Sequence, residues 1–282
     1  MTKEQPLLFE YHTPSNSSRS IGEIKLKTYT KETLVEALIS IRNQGWIPSG
    51  RPGNDGGVGN TLEDLLGIEE NNLPIPNAAE WELKAQKKNT TALITLFHME
   101  PSPRAYKFVP SILLPEYGWA HQEAGKKYGA GEMSFRQTIN ALSYSSRGFT
   151  VVVDHKNEKV IVDFCAEKIK RSKHPEWYRS VASKNLETPP YWGFQDLFHK
   201  AGTKLHNSFF VRASTKRING EMNFRYEDIY MLKGLDLRKL ITAIEQGEIY
   251  IDFDARTGHN HGTKFRLRRD ALIELYAEVR QF

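Results

Sequence analysis

The chain moves between two hydrophobic periods. From 32 to 44, "ETLVEALISIRNQ" sets Leu34, Ala37, Leu38 and Ile41 on one helical face, and Gly45 follows as a stop. "TLEDLLG" predicts a short second helix, with Asn60 or Thr61 as its cap and Gly67 at its end. The period then shortens to two. "AEWELKA" predicts a strand, and "TTALITLFH" a second strand paired with it across a turn near "KKNT". "FTVVVDHKNEKVIVDF" predicts a hairpin turning at "HKNE". "SFFVRASTKRINGEMNFRYEDIYML" predicts another, turning at Asn219-Gly220, a pair suited to the left-handed backbone of a two-residue turn. "EIYIDFDAR" and "TKFRLRR" predict a third pair around "TGHNH". The C-terminal "DALIELYAEVRQF" reads as an amphipathic helix capped by Asp270. Such interspersed helices and strands predict an α/β class.

Composition narrows the setting. A chain of 282 residues can form one large domain or two lobes around a sizeable core. It contains no run of about 18 apolar residues, so no membrane partner is expected. "MTKEQPLLFE" lacks the basic start and apolar stretch of a secretory signal, and a cytoplasmic location is expected. The one cysteine, Cys165 in "VIVDFCAEK", has no intrachain partner and reads as a structural thiol at a buried strand end. The Pro-rich "LETPPYWGF" at 186–194 suggests a boundary between lobes 1–190 and 191–282. Net charge is +5, and the positive residues gather in "EKIKRSKHPEWYRS", "VRASTKRING" and "GTKFRLRRD". Such clusters suit a phosphate backbone, and equally an ordinary solvated surface.

The strand "AEWELKA" carries the most specific chemistry. Alternation puts Glu80, Glu82 and Lys84 on one side, with Trp81 and Leu83 on the other. Alternating charge often marks a solvated edge. Here the strand leads to a strongly apolar one and follows a Pro76-Asn77 turn, which places it inside a sheet. Phosphodiester hydrolysis needs a divalent metal held by carboxylates, and a cation beside the attacking water. Glu82 and Lys84, two positions apart, supply an oxygen ligand and an amine that converge on one water. Glu-x-Lys alone is a weak motif.

Its surroundings sharpen it. "GWIPSGRPGNDGGVGNTLEDLLGIEENN", Pro76-Asn77 and "ELK" together resemble the MvaI/BcnI group of restriction endonucleases. These are relatives of the MutH mismatch-repair nickase in the PD-(D/E)xK nuclease superfamily. The resemblance covers 45–101 and returns in "DFDARTGHNHGTKFR". It implies a mixed central β-sheet flanked by helices, with a catalytic lobe (1–190) and a recognition lobe (191–282) forming a DNA cleft. It also implies Mg²⁺, with Mn²⁺ as a substitute, and double-stranded DNA cut at a short C/G-rich site to leave a 5′-phosphate. A monomer without an obligate protein partner is expected.

By position, the resemblance makes Glu63 a peripheral acid, Asn77 and Glu82 metal ligands, and Lys84 the catalytic amine. Asn77 departs from the pattern, which has Asp there, and removes one negative charge. Three explanations stay open. The Asn is an introduced inactivating change; it is natural, with Glu63, Glu69 or Glu70 compensating; or the register of the resemblance shifts by a few residues. Three rival functions also stay open: a catalytically impaired DNA-binding protein, a MutH-type nickase needing an activator, and a basic enzyme unrelated to nucleic acid.

"DARTGHNHGTKFR" gathers Asp254, Arg256, His259, His261, Lys264 and Arg266. Arg can bond bidentately to guanine O6 and N7, and Asp can accept from cytosine N4. Asp254 and Arg256 share a strand face and could read one C·G pair. His98 in "LFHMEP" reads alone as a core histidine; the resemblance pairs it with a histidine of "HNH" across the central base pair. "H-x-H" has no third ligand spaced for zinc, and "HNH" lacks the context of the HNH nucleases. The glycine-rich "RPGNDGGVGNT" lacks Gly-Lys-Ser/Thr, so it reads as a loop at the DNA cleft with Arg51 on phosphate. Trp46, Trp119, Trp177 and Trp192 are placed in loops.

Overall fold

A computed structural model describes residues 29–51, 53, 57–68, 81–268 and 271–282. Helix α1 (Lys31–Asn43) is capped by Thr30, whose hydroxyl accepts from the Thr33 amide while Thr33 returns the bond. It buries Leu34, Leu38 and Ile41 and ends before Gly45 at φ +75°. Strand β1 (Ile47–Pro48) and helix α2 (Gly57–Leu66) follow, the helix starting earlier than its expected cap. Next come β2 (Glu82–Lys87), β3 (Ile94–His98), α3 (Leu114–Tyr117), β4 (Trp119–Ala120) and β5 (Met133–Ile139). The hairpin β6 (Phe149–Asp154) and β7 (Lys159–Phe164) leads to α4 (Pro175–Val181), β8 (Tyr191–Gly193) and α5 (Phe194–Leu205). The last elements are β9 (Asn207–Ile218), β10 (Glu221–Leu235), α6 (Leu237–Glu245), β11 (Ile249–Arg256), β12 (His259–Asn260), β13 (Lys264–Leu267) and β14 (Tyr276–Gln281).

The strands form three sheets. One runs β1-β10-β9-β2, with β14 also on β10; a second runs β3-β13-β11-β5-β4; a small third runs β6-β7-β8. The first is mixed, because β2 lies parallel to β9 while β9 and β10 are antiparallel. Asn219 and Gly220 turn that hairpin at φ +51° and +83°, as their sequence predicts. The pairings β6–β7 and β11–β13 also follow the sequence.

Two expected pairings differ. β2 and β3 do not form a hairpin: β2 is an edge of the first sheet and β3 an edge of the second. Their apolar faces belong to separate cores. Trp81 and Leu83 pack with α1 and α2, whereas Ile94, Leu96 and Phe97 join the larger core around the second sheet and α5. The Gln86 amide donates to the Ala92 carbonyl (2.8 Å) and braces the link between them. The expected C-terminal helix is instead a short 3-10 turn and strand β14, with its expected cap Asp270 outside the described residues. β10 offers free backbone groups between Tyr230 and Leu235, and pairing with them satisfies both chains.

The sheets do not divide at 190/191. β9, β10 and β14 share a sheet with β2, and β11 and β13 share one with β3 and β5. Trp192 is a fully buried strand residue whose indole donates to the Met99 carbonyl (3.0 Å). Trp177 lies in α4 and Trp119 in β4, so only Trp46 of the four is in a loop. Cys165 stands just past β7 and is half-buried. Among the described residues no helix is long and apolar enough to cross a membrane.

Candidate active site

β2 places Glu82 and Lys84 on the face opposite Trp81 and Leu83. The Glu82 side chain is 1% exposed, and its Oε1 lies 2.7 Å from Lys84 Nζ. Its Oε2 is buried without a hydrogen-bond partner. An orphaned carboxylate oxygen costs stability in a dry site, and a bound cation would satisfy it. A divalent cation at Glu82 would take that oxygen as one ligand. Asn77, the other expected ligand, lies outside the described residues, as do Glu69, Glu70 and Glu80. Among the described residues no three acidic, histidine or cysteine groups converge on a metal position.

Glu63 is half-buried on α2, one turn after Gly59. Gly59 helps line a cleft of 590 Å³ with Lys84, Gln86, Leu93, Thr95 and Arg266. The cleft thus joins β2 to the second sheet. Arg51 precedes α2 and pairs with Asp64 at 3.0 Å.

The second sheet displays a ladder of charge. β11 alternates buried and half-buried residues, so Asp252, Asp254 and Arg256 share the outer face. Asp254 pairs with Arg136 (2.7 Å) and Lys264 (3.2 Å). Burial alone would raise its carboxyl, but the Lys264 hydrogen bond and the charges of Arg136, Lys264 and His261 outweigh it and hold it below the usual range. Arg256 pairs with Glu132 (3.0 Å) and lies over the Tyr128 ring. Arg266 is held by Asp252 and by the Leu93 carbonyl, both at 3.2 Å. His259 and His261 are exposed, with ring centres 4.2 Å apart.

His98 ties the two regions together. It ends β3 opposite Lys264, and a side chain at Gly262 would come within 3.5 Å of its ring. His261 is therefore the member of "HNH" nearest to it along the chain. His98 is exposed at the end of β3. Partial desolvation on its inner side, then the charges of Lys264, Lys204, Lys200 and Lys84, pushes its imidazole below the ordinary histidine range. Lys84 from β2 and Lys264 from β13 thus act on one ring.

Sequence reasoning missed Arg136, Glu132, Lys200 and Lys204. The two lysines were legible in part: "FQDLFHKAGTKL" spaces Phe194, Leu197, Ala201 and Leu205 as a helical stripe, with Lys200 and Lys204 beside it. Arg136 lies on the exposed side of an alternating "MSFRQTI", and only the register of β5 against β11 sets it opposite Asp254.

The fold is of the restriction-endonuclease class, with a Glu-x-Lys pair on a sheet edge beside a cleft lined by Lys84 and Arg266. The chain resembles the MvaI restriction endonuclease in complex with its cognate DNA substrate, at TM-score 0.70 and 24% identity over 90% of this chain and 99% of that one. It resembles MvaI in the absence of DNA at TM-score 0.53 and 25% identity, with the same coverage. No curated protein matches. The model of the MvaI/BcnI restriction endonuclease family matches residues 35–276, and the chain belongs to that family. It is a site-specific, DNA-binding type II endonuclease of a kind that generally uses a divalent metal.

Proposed function

We propose that this chain cuts double-stranded DNA at a short C/G-rich site with Mg²⁺, acting as a monomer and leaving a 5′-phosphate. The observation that carries the reading is the buried Glu82, with one oxygen on Lys84 and the other unpartnered. Glu82 and Asn77 would hold the ion, with Glu63 at the periphery. A bound divalent ion would neutralise the phosphate and acidify the attacking water. Lys84 orients that water and stabilises its deprotonated form. The same face of β11 brings Asp254 and Arg256 to one C·G pair, while His98 and His261 meet the central pair. Lys264, Arg266, His259 and Arg51 serve the remaining base and phosphate contacts.

Incubation with supercoiled plasmid and Mg²⁺ or Mn²⁺ tests this, first with the chain as it stands and then with Asn77→Asp. Sequenced ends at one recurring C/G-rich site are the expected result. Plasmid left closed even with Asp in place would leave a DNA-binding protein that does not cut.

A further inference from the structure

α5 buries Phe194, Leu197, Ala201 and Leu205, and sets Lys200 and Lys204 half-buried along one flank. Residues four apart on a helix are neighbours, so the two amines form a short column. A lysine in the last turn of a helix is common because it faces the negative end of the dipole. Lys204 does something more specific. Its Nζ lies 3.9 Å from Glu82 Oε1, with its side chain 23% exposed. That gap is too long for a hydrogen bond, and Lys84 already occupies the near position on the same oxygen. Among the described residues, neither the Lys200 nor the Lys204 side chain donates a hydrogen bond. Lys204 is therefore an amine beside Glu82 with bonding capacity to spare, and Lys200 stands one turn before it.

The position is fixed from below. The Tyr276 hydroxyl donates to the Leu205 carbonyl (2.8 Å) and pairs with Ser208 Oγ (2.8 Å). Ser208 is the register partner of Glu82. The end of α5 is thus pinned to the strand beside the catalytic carboxylate. α5 also packs against β3, the strand that His98 ends, so the helix lies between Glu82 and the second sheet.

We propose that Lys204, with Lys200 one turn before it, grips the DNA backbone at the scissile position. Lys204 meets a non-bridging oxygen of the phosphodiester that is cut, and Lys200 meets an adjacent phosphate. An amine aimed where negative charge accumulates lowers the barrier more than one aimed elsewhere. The proposal rests on the reading of Glu82 and Lys84 as the cleavage centre.

The test uses the full chain and single variants, among them Lys204→Met, Lys200→Met, Lys84→Met and Glu82→Gln. Duplex affinity is measured in EDTA across a salt series. Loss of one phosphate contact flattens the slope of log K against log salt by about 1, which a purely structural lysine would not do. Lys204→Met and Lys200→Met should each show this, and Lys204→Arg should restore it. With metal, in the chain as it stands and in the Asn77→Asp background, Lys204→Met should slow single-turnover cleavage by about 100-fold. An unchanged salt slope together with a rate within about threefold of the parent would overturn the proposal. If Glu82→Gln and Lys84→Met abolish cleavage while Lys204→Met does nothing, only the lysine column fails. If those two variants still cut, the cleavage centre itself is misplaced. Should Lys204→Met melt early, Lys204→Gln carries the same readouts.

Discussion

Lys84 reaches Glu82 at 2.7 Å from two positions along the same strand, and the carboxylate it meets is 1% exposed. The pair is costly to break from one side, since Lys84→Met leaves a buried charge with, among the described residues, only Lys204 nearby. We expect that variant to lose about 3 kcal/mol in urea unfolding. The double variant Glu82→Gln/Lys84→Met should recover most of that stability and still fail to cut. A single variant as stable as the parent would show that the pair is solvated in solution.

Asn77 gives a prediction about charge. Restoring Asp adds one negative charge to the proposed metal ligands, so Asn77→Asp should tighten divalent binding and raise cleavage by orders of magnitude. Titration with Mn²⁺ and plasmid linearisation read the two effects separately. Equal or lower turnover would count against an inactivating role for this asparagine.

The charge ladder on the second sheet predicts loss of discrimination rather than loss of binding. Asp254 is held by Arg136 and Lys264, so Asp254→Ala removes an acceptor and frees two cations. Overall affinity should hold or rise, while discrimination at one base pair should weaken by about 1–3 kcal/mol. Competition between duplexes substituted at single positions measures this. A uniform drop across all sequences would mean that Asp254 acts only through the fold.

His98 makes the site sensitive to pH. Its imidazole is depressed, first by burial and then by four lysine charges. As pH falls through the unfolded value of about 6.5, the unfolded chain takes up a proton that the folded chain refuses. Stability is therefore lost on acidification, and the loss levels off below the folded value. An NMR titration should place the His98 midpoint below about 6.5. Lys204→Met should move that midpoint upward, though only in part, because burial is the larger cause. No movement would separate Lys204 from the His98 environment.

The Tyr276 hydroxyl links α5 to β9, the neighbour of β2, through Leu205 and Ser208. Tyr276→Phe removes that link with little change in volume and should cost about 1–2 kcal/mol. Cleavage should fall with it if the end of α5 positions Lys204. Denaturant midpoints and single-turnover rates on the same samples separate the two effects.

The sequence by itself determined whatever depends on neighbours along the chain. Period-two alternation put Glu82 and Lys84 on one face and Asp254 and Arg256 on another, and Asn219-Gly220 fixed the long hairpin. Helical spacing and a glycine stop fixed α1. Only the tertiary structure decided which strands share an edge. "ELKAQK" and "ITLFH" look like a hairpin because they are adjacent, yet their apolar faces fill different cores, and they separate into two sheets. The segment 276–281 looks helical until the free edge of β10 supplies a partner. Lys204 stands 122 positions after Glu82 yet lies 3.9 Å from it, a proximity that no local period encodes. Side-chain faces follow from backbone geometry within a few residues, whereas strand partners and charge clusters follow from competition among distant segments for the same edges and the same core.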